Sequence, residues 1–308
     1  MGKHAVGKQG EPDVRLSIVV AATHPWPEIG VCVEALYEQA CAVNAEIIIV
    51  DRCGHGLPED AATRFPAIRW LKRPNLSIYQ LRAGGLQESR GEIVAITEDH
   101  CRPAPDWCRR ILEAHAAHPD AAMVGGALEN GSRETAVSWA SYLLGNGGAM
   151  PPVESRYQDR TALQANTSYK RAFLPSDVPA LGYMEFLHNR ELARRGALLL
   201  ADDRVVVEHV QPFSLRQACS AHYHAGRSVG GFRRERIGGA ERLLRIGVCF
   251  SMPLLYWLRT GLTVGLKRRY LGWLVVSTPA MLVLTTCRSA GTLMGLLAGV
   301  GESTMLLR

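Results

Sequence analysis

Thr97-Glu98-Asp99-His100-Cys101 is the stretch on which the reading of this chain turns. It follows Glu92-Ile93-Val94-Ala95-Ile96, whose apolar run predicts a buried strand. It precedes Arg102-Pro103-Ala104-Pro105-Asp106-Trp107, where two prolines stop strand pairing. Two acids and a histidine therefore stand where a strand ends, and in open α/β sheets that edge is where ligands bind. Carboxylate oxygens and imidazole nitrogens suit a divalent cation, and a cation suits a phosphate. A solvated acidic turn fits the same residues equally well.

Upstream, Leu16-Ser17-Ile18-Val19-Val20-Ala21-Ala22 reads as a first buried strand, broken by Thr23-His24-Pro25-Trp26-Pro27. Residues 28–42 carry Ile29, Val33, Leu36 and Ala40 near helical spacing. Glu46-Ile47-Ile48-Ile49-Val50-Asp51 is a second strand that ends in an acid, then turns through Arg52-Cys53-Gly54-His55-Gly56. Ile68-Arg69-Trp70-Leu71 is a weaker third strand, and residues 78–90 form a helix interrupted at Gly84-Gly85. This β-α-β alternation implies a parallel sheet with helices on both faces. Asp51 then shares one sheet edge with Glu98, Asp99 and His100.

Downstream, residues 106–118 read as a helix, 122–127 as a strand and 137–144 as a short amphipathic helix. The Gly- and Pro-rich residues 145–159 read as a mobile loop over the site. Residues 163–171 have strand, then turn character. A helix opens at Met184-Glu185-Phe186 and stops at Gly196. Val205-Val206-Val207-Glu208-His209 is a last strand, followed by a helix with Arg216, His222 and Arg227.

A chain of 308 residues can form one large domain, or one domain with an appendage. Its net charge of +6 suits anionic partners: nucleic acid, anionic lipid or phosphorylated small molecules. None of the eight cysteines forms a Cys-x-x-Cys pair, so no zinc-site spacing is present. Residues 1–13 are polar and read as a disordered start without a secretory signal, which fits reduced thiols and a cytosolic catalytic domain.

Composition changes after about residue 227. Residues 227–245 hold six arginines against two glutamates. Residues 243–266 are mostly apolar and are followed by Lys267-Arg268-Arg269. Residues 270–287 are an uncharged apolar stretch of 18 residues containing Pro279, and 289–300 a shorter one. These lengths are borderline for a membrane crossing. Both basic clusters favour the cytoplasmic face, yet one crossing between them would separate the two. A helix lying in the interface, or a re-entrant hairpin, removes the conflict. Arginines there would add about 1 kcal/mol each against anionic lipid. A buried helical subdomain is the alternative.

Taken in order, these features resemble a family 2 glycosyltransferase of the membrane-associated bacterial type, over roughly residues 15–230. Ser17-Ile18-Val19-Val20 is similar to the family's first strand. Ile47-Ile48-Ile49-Val50-Asp51 is similar to its second. Leu81-Arg82-Ala83-Gly84-Gly85-Leu86, then Ser89-Arg90-Gly91-Glu92-Ile93-Val94, looks like the segment leading into the metal motif. Glu98-Asp99-His100, followed by Pro103-x-Pro105-x-Trp107, occupies the place of Asp-x-Asp. Glu185, eleven residues before Gly196, falls where the family keeps the acid of its acceptor-side helix. Three departures stand out: Glu98 and His100 replace aspartates, Ala83 stands where an asparagine is frequent, and the Gln-x-x-Arg-Trp motif of polymerising synthases is not visible.

The resemblance implies a GT-A-type α/β fold. It has a Rossmann-like, mostly parallel central sheet with helices on both faces in residues 14–230, and a basic, apolar helical membrane-associated region in 231–308. It implies hexosyltransferase-like transfer of a sugar from a nucleotide diphosphate sugar to an acceptor hydroxyl, with inversion. It further implies Glu185 as base, and Glu98, His100 and His209 as ligands of Mn²⁺ or Mg²⁺. Asp51, Arg82, Asp99 and Arg227 fall on the nucleotide-sugar side, and Asn166, Ser168 and Tyr169 on the acceptor side. The expected partners are the donor, a lipid-linked or glycan acceptor of cell-envelope polysaccharide type and the cytoplasmic face of the membrane, with no nucleic acid.

The residues keep plainer readings beside these. Glu185 is also an ordinary acid at a helix start, Asp51 an Asx-turn residue, Arg82 a surface charge, His209 a structural histidine, and Asn166, Ser168 and Tyr169 part of a turn. Arg227 and Arg233 clamp phosphate or face lipid. Trp107 and Trp139 read as core. A non-catalytic nucleotide-sugar or partner binder is the rival function, motivated by the Glu and His replacements. A nucleotidyltransferase would need a Gly-rich basic loop where Thr23-His24-Pro25-Trp26-Pro27 stands, and a dinucleotide-binding dehydrogenase a Gly-x-Gly-x-x-Gly there.

Overall fold

A computed structural model of the chain describes residues 14–153, 165–177 and 181–307. Residues 1–13, read as a disordered start, and most of the second half of the expected 145–159 loop lie outside the described residues. The organising element is a sheet of eight strands: β1 (Leu16–Ala22), β2 (Glu46–Asp51), β3 (Ile68–Lys72), β4 (Ile93–Glu98), β5 (Cys101–Pro103), β6 (Ala121–Asn130), β7 (Asn166–Lys170) and β8 (Leu198–His209), in the order β3-β2-β1-β4-β7-β6-β8-β5. All seven residues of β1 are buried, because strands flank it and helices cover both faces. Parallel pairing aligns Ala22 with Asp51 and Ala21 with Glu98, so the ends of β2 and β4 lie level on one edge.

Beyond β4 the sheet is mixed. β7 runs antiparallel to β4 and brings Thr167 opposite Ile96 and Asn166 opposite Thr97. β5 runs antiparallel to β8 and sets Cys101 opposite His209. The sheet is therefore the mixed, mostly parallel α/β arrangement of the GT-A fold, with β7 and β5 running against the direction shared by β1, β2, β3, β4, β6 and β8.

The helices before the last strand are α1 (Gly30–Ala42), α2 (Glu59–Arg64), α3 (Ile78–Glu88), α4 (Trp107–Ala117), α5 (Ala136–Asn146) and α6 (Glu185–Arg194). Ser77 and Gln80 close a capping box that starts α3. The Gly84-Gly85 pair does not interrupt α3. A Cβ on Gly85 would strike Val19, so glycine here lets the helix lie directly on β1. Residues 147–153 are no open loop: Ala149, Met150 and Val153 are buried. Trp107 and Trp139 are core residues, as expected.

Four helices follow the sheet: α7 (Leu215–Arg234), α8 (Gly239–Cys249), α9 (Met252–Lys267) and α10 (Leu271–Ala298). The two apolar runs expected at 270–287 and 289–300 form the single helix α10 of 28 residues, with Pro279 inside. α10 packs along α7 through facing glycines. A Cβ on Gly226 or Gly230 would strike the α10 backbone, and one on Gly291 or Gly295 the α7 backbone. Trp273 stacks on Trp139 of α5, with centroids 5.1 Å apart. Two residues of the second basic cluster turn inward while Arg268 stays exposed: the Lys267 ammonium reaches the Gly148 and Met150 carbonyls, and Arg269 pairs with Glu129 at 3.0 Å. These groups are spent on the protein, not on a membrane. Past α10 the chain returns to the sheet edge, where Arg52 donates to the carbonyls of Met305 (2.7 Å) and Leu307 (3.2 Å).

Gly295→Leu is expected to lever α10 off α7, lowering the midpoint of thermal unfolding and exposing 271–298 to limited proteolysis; an unchanged midpoint and digest would contradict the close crossing. The histidines predict acid sensitivity. Burial holds His115 and His188 down at about 4 and His222 at about 3, against about 6.5 in the unfolded chain. The unfolded state thus binds more protons as pH falls from about 6.5 towards 4, and stability falls with it. Unfolding midpoints across that window should drop, and His222→Gln should flatten the slope.

Candidate active site

Six elements deliver side chains to the edge that ends β1, β2 and β4. The end of β4 supplies Glu98, Asp99 and His100. The turn after β1 supplies Thr23 and His24, the end of β8 supplies His209, α3 supplies Arg82, and the start of α6 supplies Glu185. The antiparallel strand β7 adds Thr167.

Asp99 is 1% exposed and accepts at both oxygens. Its Oδ2 accepts from the backbone N–H of Thr23 and of His24 (2.8 Å) and meets His24 Nδ1 at 3.0 Å, while Oδ1 meets His100 Nδ1 at 2.9 Å. His100 Nε2 lies 3.0 Å from His209 Nε2 and 3.2 Å from Glu98 Oε2, and His209 Nε2 lies 3.5 Å from the same oxygen. Three metal-type ligand atoms therefore converge. Ions of this kind sit about 2.0–2.2 Å from N and O ligands, and neighbouring ligands on such an ion are about 3.0–3.5 Å apart. The spacing fits a divalent metal. Cys101 belongs to the same cluster, and burial pushes its thiol well up in the absence of a metal.

The electrostatics follow from packing. Burial pushes Glu98 up, but hydrogen bonds from His100 and His209, with Arg82 beside it, outweigh that and hold it well below the usual carboxylate range. Burial pushes His100 down, but Asp99 and Glu98 outweigh it and lift His100 to about 10. Burial and the neighbouring His100 push His209 down.

Arg82, 3% exposed, joins this cluster to Glu185. One nitrogen meets Glu98 Oε1 at 2.6 Å, another Glu185 Oε2 at 3.0 Å. Glu185 has no exposed surface and accepts from Thr167 Oγ1 at 2.5 Å. Burial raises its pKa, opposed by Arg82 and Thr167.

The other sequence-derived residues are placed as follows. Asp51 is buried, accepting from the N–H of Cys53 (2.6 Å) and Gly56 (3.2 Å) and from Trp70 Nε1 (3.1 Å). Asn166 is held by Trp107, Ala127 and Val205, and Ser168 by His115 and Val124. Tyr169 donates to Asn189 of α6 at 2.6 Å. Strand alternation turns Asn166 and Ser168 towards α4, and Thr167 and Tyr169 towards α6. Arg227 donates to the Gly299 carbonyl at 3.3 Å, beside the end of α10. Thr23, His24 and Thr167 are functional candidates that sequence reasoning missed. The only signal for His24 was its place after β1; Thr167 carried none.

No curated protein matches the chain by sequence. Staphylococcus aureus TarS, residues 1–349, is similar in structure over 92% of this chain and 90% of its own, at 11% identity and a TM-score of 0.50. Against TarS in complex with UDP-GlcNAc, the chain spans 60% of that protein's length, matching over 65% of this chain at 11% identity and a TM-score of 0.44. The mannosyltransferase PcManGT of Pyrobaculum calidifontis, in complex with GDP-Man and Mn²⁺, matches over 91% of this chain and 87% of its own, at 17% identity and a TM-score of 0.49. The family model "Glycosyl transferase family 2" matches residues 17–174, more than half of the sequence and the span that carries β1 to β7, so this chain belongs to glycosyl transferase family 2.

Proposed function

We propose that this protein is an inverting hexosyltransferase, moving a sugar from a nucleotide diphosphate sugar to the hydroxyl of a lipid-linked acceptor at the membrane surface. The observation that carries this reading is the Arg82 bridge. One buried guanidinium touches Glu98 of the ligand cluster and Glu185 of α6, so a leaving-group side and a base side flank a single cation.

Glu98, His100 and His209 would hold the divalent metal, which when bound offsets negative charge on the departing diphosphate. Glu185 would take the proton of the acceptor hydroxyl. Its burial raises its basicity, and the Thr167 hydroxyl fixes Oε1 so that Oε2 is the oxygen left for the proton. Arg82 covers that oxygen here; an arriving diphosphate is a stronger partner for a guanidinium, and its pull would uncover the base. Asp51 lies on the nucleoside side by its place on the edge, with Arg227 further along α7. Asn166, Ser168 and Tyr169 serve by holding β7, which presents Thr167.

The membrane reading rests on the outer faces of α8, α9 and α10. Leu243, Leu244, Leu262, Leu266 and Val275 on them, and Phe250 just past α8, are 64–78% exposed. Burying one such side chain is worth about 1.5–3 kcal/mol. α10 is apolar and long enough to cross a bilayer, but one side of it packs on α5 and α7. A shelf lying in the interface on the cytoplasmic face suits that arrangement better than a crossing.

The sealed position of Glu185 favours a second reading, a non-catalytic nucleotide-sugar binder. Release of nucleoside diphosphate from a panel of nucleotide sugars with Mn²⁺ decides between them. Turnover is expected, and Glu185→Gln should lower it by about 10²–10⁴-fold while keeping the thermal shift given by the donor. A donor shift with no turnover in the wild type would establish the second reading instead. Wild-type turnover should fall as pH drops through a midpoint above that of an ordinary glutamate, since only the ionised base works. Separately, the protein should co-sediment with anionic phospholipid vesicles, and Leu262→Glu with Leu266→Glu should abolish this at an unchanged unfolding midpoint. Equal sedimentation of that variant would remove the shelf.

A further inference from the structure

Residues 299–307, which follow α10, lie against the sheet edge on the side of Asp51. Gly299 and Gly301 take positive φ of 80° and 54° and turn the chain back from the helix end. Beyond them Ser303 is 1% exposed, with its Oγ 3.0 Å from His224 Nδ1 of α7. The Arg52 guanidinium, next to Asp51, donates to the carbonyls of Met305 at 2.7 Å and Leu307 at 3.2 Å. Leu307 packs against the cluster of Ala21, Ile48, Val50, Ile78 and Leu81. Three of these immediately precede residues at the edge or the site: Ala21 stands before the last residue of β1, Val50 before Asp51 and Leu81 before Arg82. The strand order reverses between β1 and β4, and ligands of open α/β sheets bind outside the carboxyl ends of the strands beside such a point. The segment thus rests where the nucleoside end of a donor is expected.

Its attachment is of a kind that a ligand can replace. The backbone bonds beyond Gly299 are local turns, Ser303 to Val300, Met305 to Glu302 and Leu306 to Ser303, and none among the described residues pairs the segment with a strand. Side chains hold it instead. Two of them are arginines that meet neutral carbonyls: Arg52, and Arg227, whose Nε donates to the Gly299 carbonyl at 3.3 Å and whose guanidinium lies against Gly301. A phosphate is a stronger partner for a guanidinium than a neutral carbonyl is, and segments joined by few bonds are the first to open. We propose that residues 301–307 form an autoinhibitory strap on the nucleoside end of the donor site, which a nucleoside diphosphate must displace in order to bind. This rests on the reading of that edge as the donor site. The apparent affinity for nucleotide is then the intrinsic affinity reduced by the fraction of molecules whose strap is open.

The rival account is a fixed wall, in which the segment stays in place and lines the site. The test titrates the full chain, in detergent with Mn²⁺, against UDP, GDP, ADP, CDP and dTDP by calorimetry. Leu307→Ser removes the apolar contact, and Gly301→Val sets a side chain against the Arg227 guanidinium; neither alters the charge of the site. Each should bind the preferred nucleotide about tenfold tighter than the wild type does, the gain expected where the strap is open in about one molecule in ten. Leu307→Met should bind as the wild type does. In the wild type, saturating nucleotide should speed cleavage after the exposed Glu302 by a Glu-specific protease, a readout that does not depend on any variant folding. Unchanged or weaker nucleotide binding in the folded Ser and Val variants, or protection of Glu302 by nucleotide, would overturn the strap and leave the donor site standing. No binding of any nucleotide by any of these proteins would overturn both. Tighter binding in the variants with no turnover of any nucleotide sugar would keep the strap and remove the transferase.

Discussion

The site depends on one buried cation. Arg82 is 3% exposed and touches carboxylates from two parts of the chain, Glu98 on β4 and Glu185 on α6. Glu185 could not stay ionised in that setting alone: an unpaired charge out of water costs several kcal/mol, and removing one partner of a buried pair typically costs about 3–5 kcal/mol. The guanidinium offsets both at once and sets their separation. It also divides the labour, since Glu98 is held ionised at the ligand cluster while burial keeps Glu185 the more basic of the two. Two carboxylates with different environments, joined by one arginine, give a ligand and a base in adjoining positions.

Asp99 performs the equivalent task for the histidines. It joins the turn after β1 to the end of β4, across the position where the strand order reverses. The cluster is therefore assembled by the same contacts that close the sheet edge. His209 arrives from the far side because β8 pairs with β5 and places it opposite Cys101. The ligand set spans both halves of the sheet, and neither half carries it alone.

The C-terminal helices are joined to this domain more closely than their composition suggests. Glycines facing each other across α7 and α10 allow backbone contact, Trp273 stacks on Trp139, and the chain after α10 returns to Arg52 beside Asp51. Arg269 is consumed by Glu129 and Lys267 by backbone carbonyls. What stays exposed is the apolar outer surface of α8 to α10.

By itself the sequence determined the first half of the fold. The apolar runs of β1, β2 and β4 and the acids that end β2 and β4 are local patterns with a local cause, and they place Asp51 and Glu98 on one edge. It also determined that Glu185 opens a helix. Only the tertiary structure decided which atoms meet. The reversal of β7 brings Thr167 to Glu185; strand alternation sends Asn166 and Ser168 into the core beside α4; and Asp99 is spent on His24 and His100. The contacts of Thr167 with Glu185, Asn166 with Trp107 and Asp99 with His24 join residues 18, 59 and 75 positions apart. Composition and periodicity report on neighbours along the chain, whereas a strand's direction and the aim of a side chain are set by whatever packs against it.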